Sequence, residues 1–310
     1  MTRRGWVLFI ALSVIWGVPY LMIRVAVTDL SPVVVAGGRT TLGALLLLPL
    51  ALFRRELGPA FRRWRVLLVY TAVEIVGPWL LLGMAETRLN SSTTGLLIAV
   101  VPLIAAVLVT ALGDDRLDRR RIVGLLIGFA GVAALVGLDI RVDDLLSAGF
   151  VFLAAIGYAI GPILINRRLA DLPAIGVVTA SLIVASVVYL PFVIWRFPDS
   201  IPADAAWSMI GLGVICTTVA FLVFFALIAE AGPARATVIT YINPAVAILL
   251  GVLVLNEPFT VGTAIGFPLV ILGSILATAR SRSRPAAAAS AVPVPTSGLS
   301  PGPAERSGGG

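Results

Sequence analysis

SSTTGLLIAVVPLIAAVLVTAL, residues 91–112, decides how this chain folds. The stretch carries no charge. It is as long as an α-helix must be to cross the hydrocarbon of a bilayer, about 20 residues. Ser91-Ser92-Thr93-Thr94 makes a favourable helix start. Pro102 stands near the middle. A proline inside a helix lacks an N–H and leaves the carbonyl four residues earlier without its partner. In lipid that carbonyl must face protein or water. The stretch therefore reads as a membrane span with a special place at mid-depth, a hinge or substrate site on one reading and a packed kink on the other.

Working outward, nine more stretches have the same character: 6–27, 32–53, 65–85, 121–138, 145–165, 173–195, 206–229, 236–255 and 261–279. The composition agrees. Of 310 residues, 59% are apolar and 13% charged, where a soluble domain carries about 25% charge. Mean hydropathy is +1.05. No soluble globule of this size hides so much apolar surface. The sequence predicts an all-α integral membrane protein with ten transmembrane helices. Thr2-Arg3-Arg4 before an apolar run has a faint likeness to a twin-arginine signal. The run is longer than a signal core and shows no clear cleavage site, so it reads as a first span. Residues 280–310, rich in Ala, Pro, Ser and Gly, read as a disordered cytoplasmic tail.

The few polar residues exclude chemistry as well as indicate it. There is no histidine, no lysine and one cysteine, Cys216. Histidine catalysis, zinc clusters, internal disulfides and Schiff-base lysines are excluded, and neither an enzyme nor a cofactor is expected. All 23 basic residues are arginines. With the N-terminus inside, 18 of them fall on cytoplasmic segments and only Arg88, Arg141 and Arg196 outside. This positive-inside bias places both termini in the cytoplasm of a cell with the protein in its plasma membrane, and it explains the net charge of +7 without a nucleic-acid partner. Arg24 and Arg39 lie within spans.

The chain also repeats itself. Pro102 and Pro244 are 142 residues apart, and the same offset pairs Pro49 with Pro191, Asp115 with Glu257, Gly124 with Gly266, Gly131 with Gly273 and Trp16 with Tyr158. The repeats run over 6–139 and 145–279. Each holds five spans, an odd number, so the second enters the membrane from the opposite side. Inverted repeats suit transporters, because rocking one half against the other exposes a central site to each side in turn.

Several segments resemble the EamA-type permeases of the drug/metabolite transporter superfamily. They are Trp16-Gly-Val-Pro-Tyr20 with Arg24; Gly95 to Pro102, then Asp114-Asp115-Arg116 and Gly124 to Gly131; and Tyr241-Ile-Asn243-Pro244, then Asn256-Glu257-Pro258 and Gly266 to Gly273. Asp114-Asp115 depart from the glutamate usual in that family. The resemblance covers about 6–279. It implies two inverted five-helix repeats, peripheral fifth and tenth helices, a central cavity, and export of amino acids, other metabolites or toxic compounds.

Within that frame Glu74, mid-way along the third span, is the first candidate site residue. A central carboxylate costs about 2.5–3.5 kcal/mol on insertion scales, so it needs a partner or a wet cavity. A proton or a substrate amine is one use and a structural ion pair the other. Arg39 is the pairing candidate, and it also suits an anionic substrate group. Arg24, near a span end, reads as snorkelling to headgroups. Trp16, Tyr20, Trp79, Tyr158 and Tyr241 are candidate cavity rings, with packing the plainer reading. Pro102, Pro244 and Asn243 complete the substrate and proton pathway. Gly124-xxx-Gly128 and Gly262-xxx-Gly266 are close-packing patterns, within the chain or in a homodimer. The leading expectation is a secondary transporter, an exporter of a small-molecule substrate, with protons as a coupling partner. A flippase or exchanger for a lipid-linked or phosphorylated solute would want more cavity arginines than Arg39, and a membrane scaffold would want a soluble domain.

Overall fold

A computed structural model describes residues 1–113, 118–232 and 236–278. The described residues hold helices and no strand. Among the described residues, nine helices are long and apolar enough to span a membrane: α1 Arg3–Ala26, α2 Pro32–Phe53, α3 Trp64–Glu86, α4 Ser91–Ala111, α5 Arg119–Asp139, α6 Val142–Leu169, α7 Ala174–Trp195, α8 Ala203–Ala231 and α10 Val261–Thr278. The tenth, α9 Val238–Val254, is shorter. All ten expected stretches are present as helices. Asp114-Asp115-Arg116, Arg235 and the tail lie outside the described residues.

The packing repeats with the sequence. Helix α2 packs on α7, α4 on α9 and α5 on α10. Helix α3 packs on α6 as α8 packs on α1, and α4 on α6 as α9 on α1. Within these pairs, advancing each helix by five returns another pair of the set, so the two halves share these neighbours.

The interruptions repeat too. Helix α3 contains a π-helical turn at Ala72–Val76, and α8 contains one at Val214–Val219; their starts differ by the repeat offset of 142. Helix α4 breaks after Ile98 and resumes at Val101, and α9 resumes as α-helix at Asn243 after a 3-10 turn, Thr237–Tyr241. Pro102 and Pro244 each sit in the first turn of the resumed segment, where the missing N–H would have had no partner anyway. These two prolines therefore restart helices, whereas Pro78 follows the π-turn inside the continuous α3. Pro19 and Pro162 do lie inside helices.

Helices α5 and α10 dock through glycines, backbone to backbone. A Cβ at Gly124 would strike the backbone nitrogen of Ala277, one at Gly131 that of Val270, and one at Gly273 the backbone of Gly128. The close-packing patterns thus serve contacts within the chain. Gly273→Leu should lower the thermal midpoint of the detergent-solubilised protein, with an overpacking cost of roughly 1–3 kcal/mol. Gly137→Leu, on the same α5 but with nothing within 4 Å of its Cβ, should leave it unchanged.

Candidate functional site

The π-turn of α8 builds the site's first half. A π-turn misaligns the hydrogen-bond ladder by one residue and frees carbonyls. Thr217 Oγ1 donates to the Leu212 carbonyl at 2.8 Å, and Thr218 Oγ1 to that of Gly213 at 3.0 Å. Thr217 Oγ1 keeps lone-pair capacity and accepts from Arg39 Nε at 2.9 Å. The Arg39 Nη2 group lies 3.5 Å from the Cys216 carbonyl. The guanidinium carbon sits 3.7 Å from the centroid of the Trp79 ring, an arrangement in which the cation lies on the negative face of the indole. Arg39 is only 7% exposed.

No carboxylate compensates it. Among the described residues the ion pairs are Arg54–Glu56, Arg63–Asp171 and Arg88–Asp144. The ionisable groups within electrostatic reach of Arg39 are Tyr158, Cys216, Tyr20 and Tyr189. The Arg39–Glu74 ion pair considered from the sequence is therefore not formed. The physical reason is geometric: the α8 π-turn and Trp79 hold the guanidinium, while Glu74 faces α6.

Glu74 lies in the π-turn of α3. A Cβ at Gly161 of α6 would collide with its carboxyl group, and one at Gly157 with the Val73 carbonyl. Gly157-xxx-Gly161 thus forms the bed on which the π-turn rests. Val76, at the end of the turn, has its carbonyl satisfied by the Tyr189 hydroxyl at 2.6 Å. Glu74 Oε2 is enclosed and has no hydrogen-bond partner. Tyr158, between the two glycines, is within electrostatic reach of both Arg39 and Glu74.

The structure therefore gathers Arg39, Trp79, Tyr158 and Glu74, with Tyr20 buried beside Gly95 of α4 at the edge of the group. Trp16 packs instead on α8, its ring centroid 4.9 Å from Phe224 and 6.3 Å from Phe221. Asn243, at the α9 restart, donates its amide to the Ser13 carbonyl at 3.1 Å and the Ile239 carbonyl at 2.9 Å once its amide is oriented to satisfy both. It joins α1 to α9. Pro102 and Pro244 mark the restarts of α4 and α9. Tyr241 departs from the expected ring set. Its hydroxyl is hydrogen-bonded to Thr278 and lies 3.5 Å from the Ser274 carbonyl, both on α10. A groove of about 510 Å³ opens at the other end of α3, past Leu80, Met84 and Arg88, and none of these candidates lines it.

Sequence reasoning missed three groups. Tyr189 and Thr217 are ordinary residues in apolar helices, and only the π-turns reveal their use. Arg24 does not snorkel: Nη1 donates to the Glu86 carbonyl at 2.5 Å, closing the C-terminal end of α3. Glu257 is the third. Asn256, with a left-handed φ of 54°, turns the chain after α9, and the Glu257 carboxylate then accepts from the backbone nitrogens and hydroxyls of Ser91 and Ser92 at 2.5–2.9 Å. The serine pair that opens α4 is thus capped by a carboxylate from the other repeat. The asparagine-glutamate pair ending one repeat and the serines opening α4 were legible; their meeting was not.

Comparison with known proteins agrees with this architecture. The sequence model of the EamA-like transporter family matches residues 3–137 and again 145–279. The uncharacterized transporter YvbV of Bacillus subtilis is 27% identical over 281 residues, covering 87% of this chain and 90% of its own length. The uncharacterized inner membrane transporter YedA of Escherichia coli is 26% identical, covering 78% and 79%. A solved crystal structure with 19% identity superimposes with a TM-score of 0.66 over 90% of this chain and 98% of its own.

Glu257→Ala should remove four charge-assisted hydrogen bonds and leave two helix-terminal N–H groups open. The expected loss is about 2–3 kcal/mol for such a buried anchor, read as a lower thermal midpoint. Glu257→Gln should recover part of it.

Proposed function

The chain belongs to the EamA-like transporter family, and on that premise we propose that it exports small organic metabolites, amino acids or drugs across the plasma membrane by proton-coupled alternating access. It is a multi-pass membrane transporter. The observation that carries the finer reading is the central group itself. Arg39 is a buried cation with no carboxylate beside it, and Glu74 holds an enclosed oxygen with no partner. A buried charge or polar atom left uncompensated is costly. A substrate anion at Arg39 and a proton or substrate amine at Glu74 would supply what each lacks. A zwitterion such as an amino acid satisfies both.

The matched interruptions support the mechanism. Broken helices at corresponding places in two repeats mark the binding region of many transporters, and the π-turns of α3 and α8 and the restarts of α4 and α9 occupy such places. Five helices per repeat support an inverted arrangement of the repeats in the bilayer. The arginine distribution supports an orientation with both termini in the cytoplasm. In the cycle, proton uptake at Glu74 from outside and substrate uptake at Arg39 from inside would alternate as the halves rock.

Two measurements test this. In proteoliposomes, Glu74→Gln should abolish solute-driven proton movement while the purified protein keeps its helical content and thermal midpoint; full coupled transport by that variant removes Glu74 from the mechanism. For orientation, a cysteine replacing Asp143 should react with an impermeant maleimide from outside the cell. Labelling only after the cytoplasmic face is exposed overturns the proposed topology.

A further inference from the structure

A second carboxyl group lies apart from the central site, and neither the family reading nor the mechanism above uses it. Glu86 ends α3 and is 0% exposed. Neither of its carboxyl oxygens has a hydrogen-bond partner. Its own backbone carbonyl holds the Arg24 guanidinium at 2.5 Å, so the nearest cation is engaged with the main chain and not with the carboxyl group. The other acidic group within reach is Glu257, whose carboxylate accepts four hydrogen bonds from the start of α4.

The elements packed around Glu86 offer its carboxyl group no compensation. From α1 come Arg24 and Tyr20. From the α9–α10 connection comes Glu257. The opening of α4 offers Ser91 and Ser92, whose hydroxyls are given to Glu257. At the start of α6, Asp144 faces Arg88 at 3.6 Å. An ionised Glu86 in this setting would be an enclosed anion with no hydrogen bond, beside a second anion, and such an arrangement does not persist. A metal cation would need several oxygen ligands around it, whereas a proton needs only the carboxyl itself.

We propose that Glu86 is a proton-binding site of a gate: with the proton bound, the Glu257 clamp closes over the start of α4, and without it, repulsion between the two carboxylates opens that end of the bundle. The atoms for the switch are in place. The clamp joins α9 of one repeat to α4 of the other, and Arg24 is placed to leave the Glu86 carbonyl for the carboxylate once the proton departs. On the orientation proposed above this is the outer end, so protons from outside would close the gate behind them. That consequence rests on the transport reading; the protonation of Glu86 and the movement of the clamp do not.

The tests keep the two apart. Full-length protein in nanodiscs, without substrate, is titrated from about pH 5 to about pH 9 while the infrared carbonyl stretch of protonated carboxyl groups is recorded. One band should be lost in Glu86→Gln and should disappear from the unmodified protein as pH rises. A reporter cysteine at Thr94, fully buried on α4, in a Cys216→Ala background, then reads the clamp through its reaction with a maleimide. The ratio of labelling rates, Glu86 protein to Glu86→Gln, should climb with pH by up to roughly tenfold per unit once the carboxyl titrates. The ratio cancels the pH dependence of the thiol itself. Glu86→Asp serves if the glutamine variant fails to fold, and should titrate with a shifted midpoint. A carboxyl band unaffected by Glu86 substitution, a flat labelling ratio, or a ratio that follows sodium against choline at fixed pH would each overturn the proposal. Loss of transport with these results intact would overturn only the export reading.

Discussion

Inside hydrocarbon no backbone N–H or carbonyl can be left without a partner, and the rest of this structure follows from how the chain meets that demand where its helices are not regular. A continuous helix satisfies itself. A helix with a π-turn or a break does not, and needs groups from elsewhere. Here Thr217 and Thr218 serve the turn in α8, and Tyr189 of α7 serves the one in α3. Helix ends are treated the same way. Glu257 caps α4, the Glu56 carboxylate accepts from the Gly176 N–H near the start of α7 at 3.1 Å, and the Asp139 carboxylate accepts from that of Gly262 of α10 at 3.1 Å. The two threonines repair their own helix from one turn away, whereas Tyr189, Glu257, Glu56 and Asp139 come from distant parts of the chain, so in those places satisfying the backbone also ties the helices together.

The same constraint explains where the scarce charges are found. Arg39 is held by a residue that exists to repair a π-turn, Glu74 lies in the matching turn, and Glu86 and Arg24 meet at the end of α3. Irregular backbone in a membrane is tolerated where it lines protein or a wet cavity, and those are the places where an ionisable side chain is least costly. Irregularity and polarity therefore coincide. The two repeats share the irregularities but not the side chains: Glu74 corresponds to Cys216 and Arg39 to Ser181. The backbone architecture is symmetric, and the chemistry laid on it is not.

Sequence reasoning found the features that are periodic or rare. The ten spans were legible because apolar runs of fixed length leave few alternatives, and the repeat because prolines and glycines at one offset seldom recur by accident. Arg39 and Glu74 stood out as charges in the wrong solvent. What could not be read was which partner each took. Pairing Arg39 with Glu74 was reasonable electrostatics, but it ignored a neutral hydroxyl and an indole face that the fold delivers first. Snorkelling was reasonable for Arg24, but an unpaired carbonyl lay nearer than the headgroups. Tyr241 was grouped with the other rings by depth alone, and depth says nothing about which side of a helix faces α10.

By itself, then, the sequence determined that the chain spans a membrane, how many times, and that it does so as two related halves, because these follow from length, hydropathy and spacing along one dimension. Only the tertiary structure decided that Glu257 clamps Ser91 and Ser92, that Thr217 holds Arg39, and that one carboxyl oxygen of Glu74 and both of Glu86 are enclosed without a hydrogen-bond partner. Those facts depend on which residues 62 to 178 positions apart are brought within hydrogen-bond distance, and contact across such separations is fixed by helix packing, not by any local pattern in the chain.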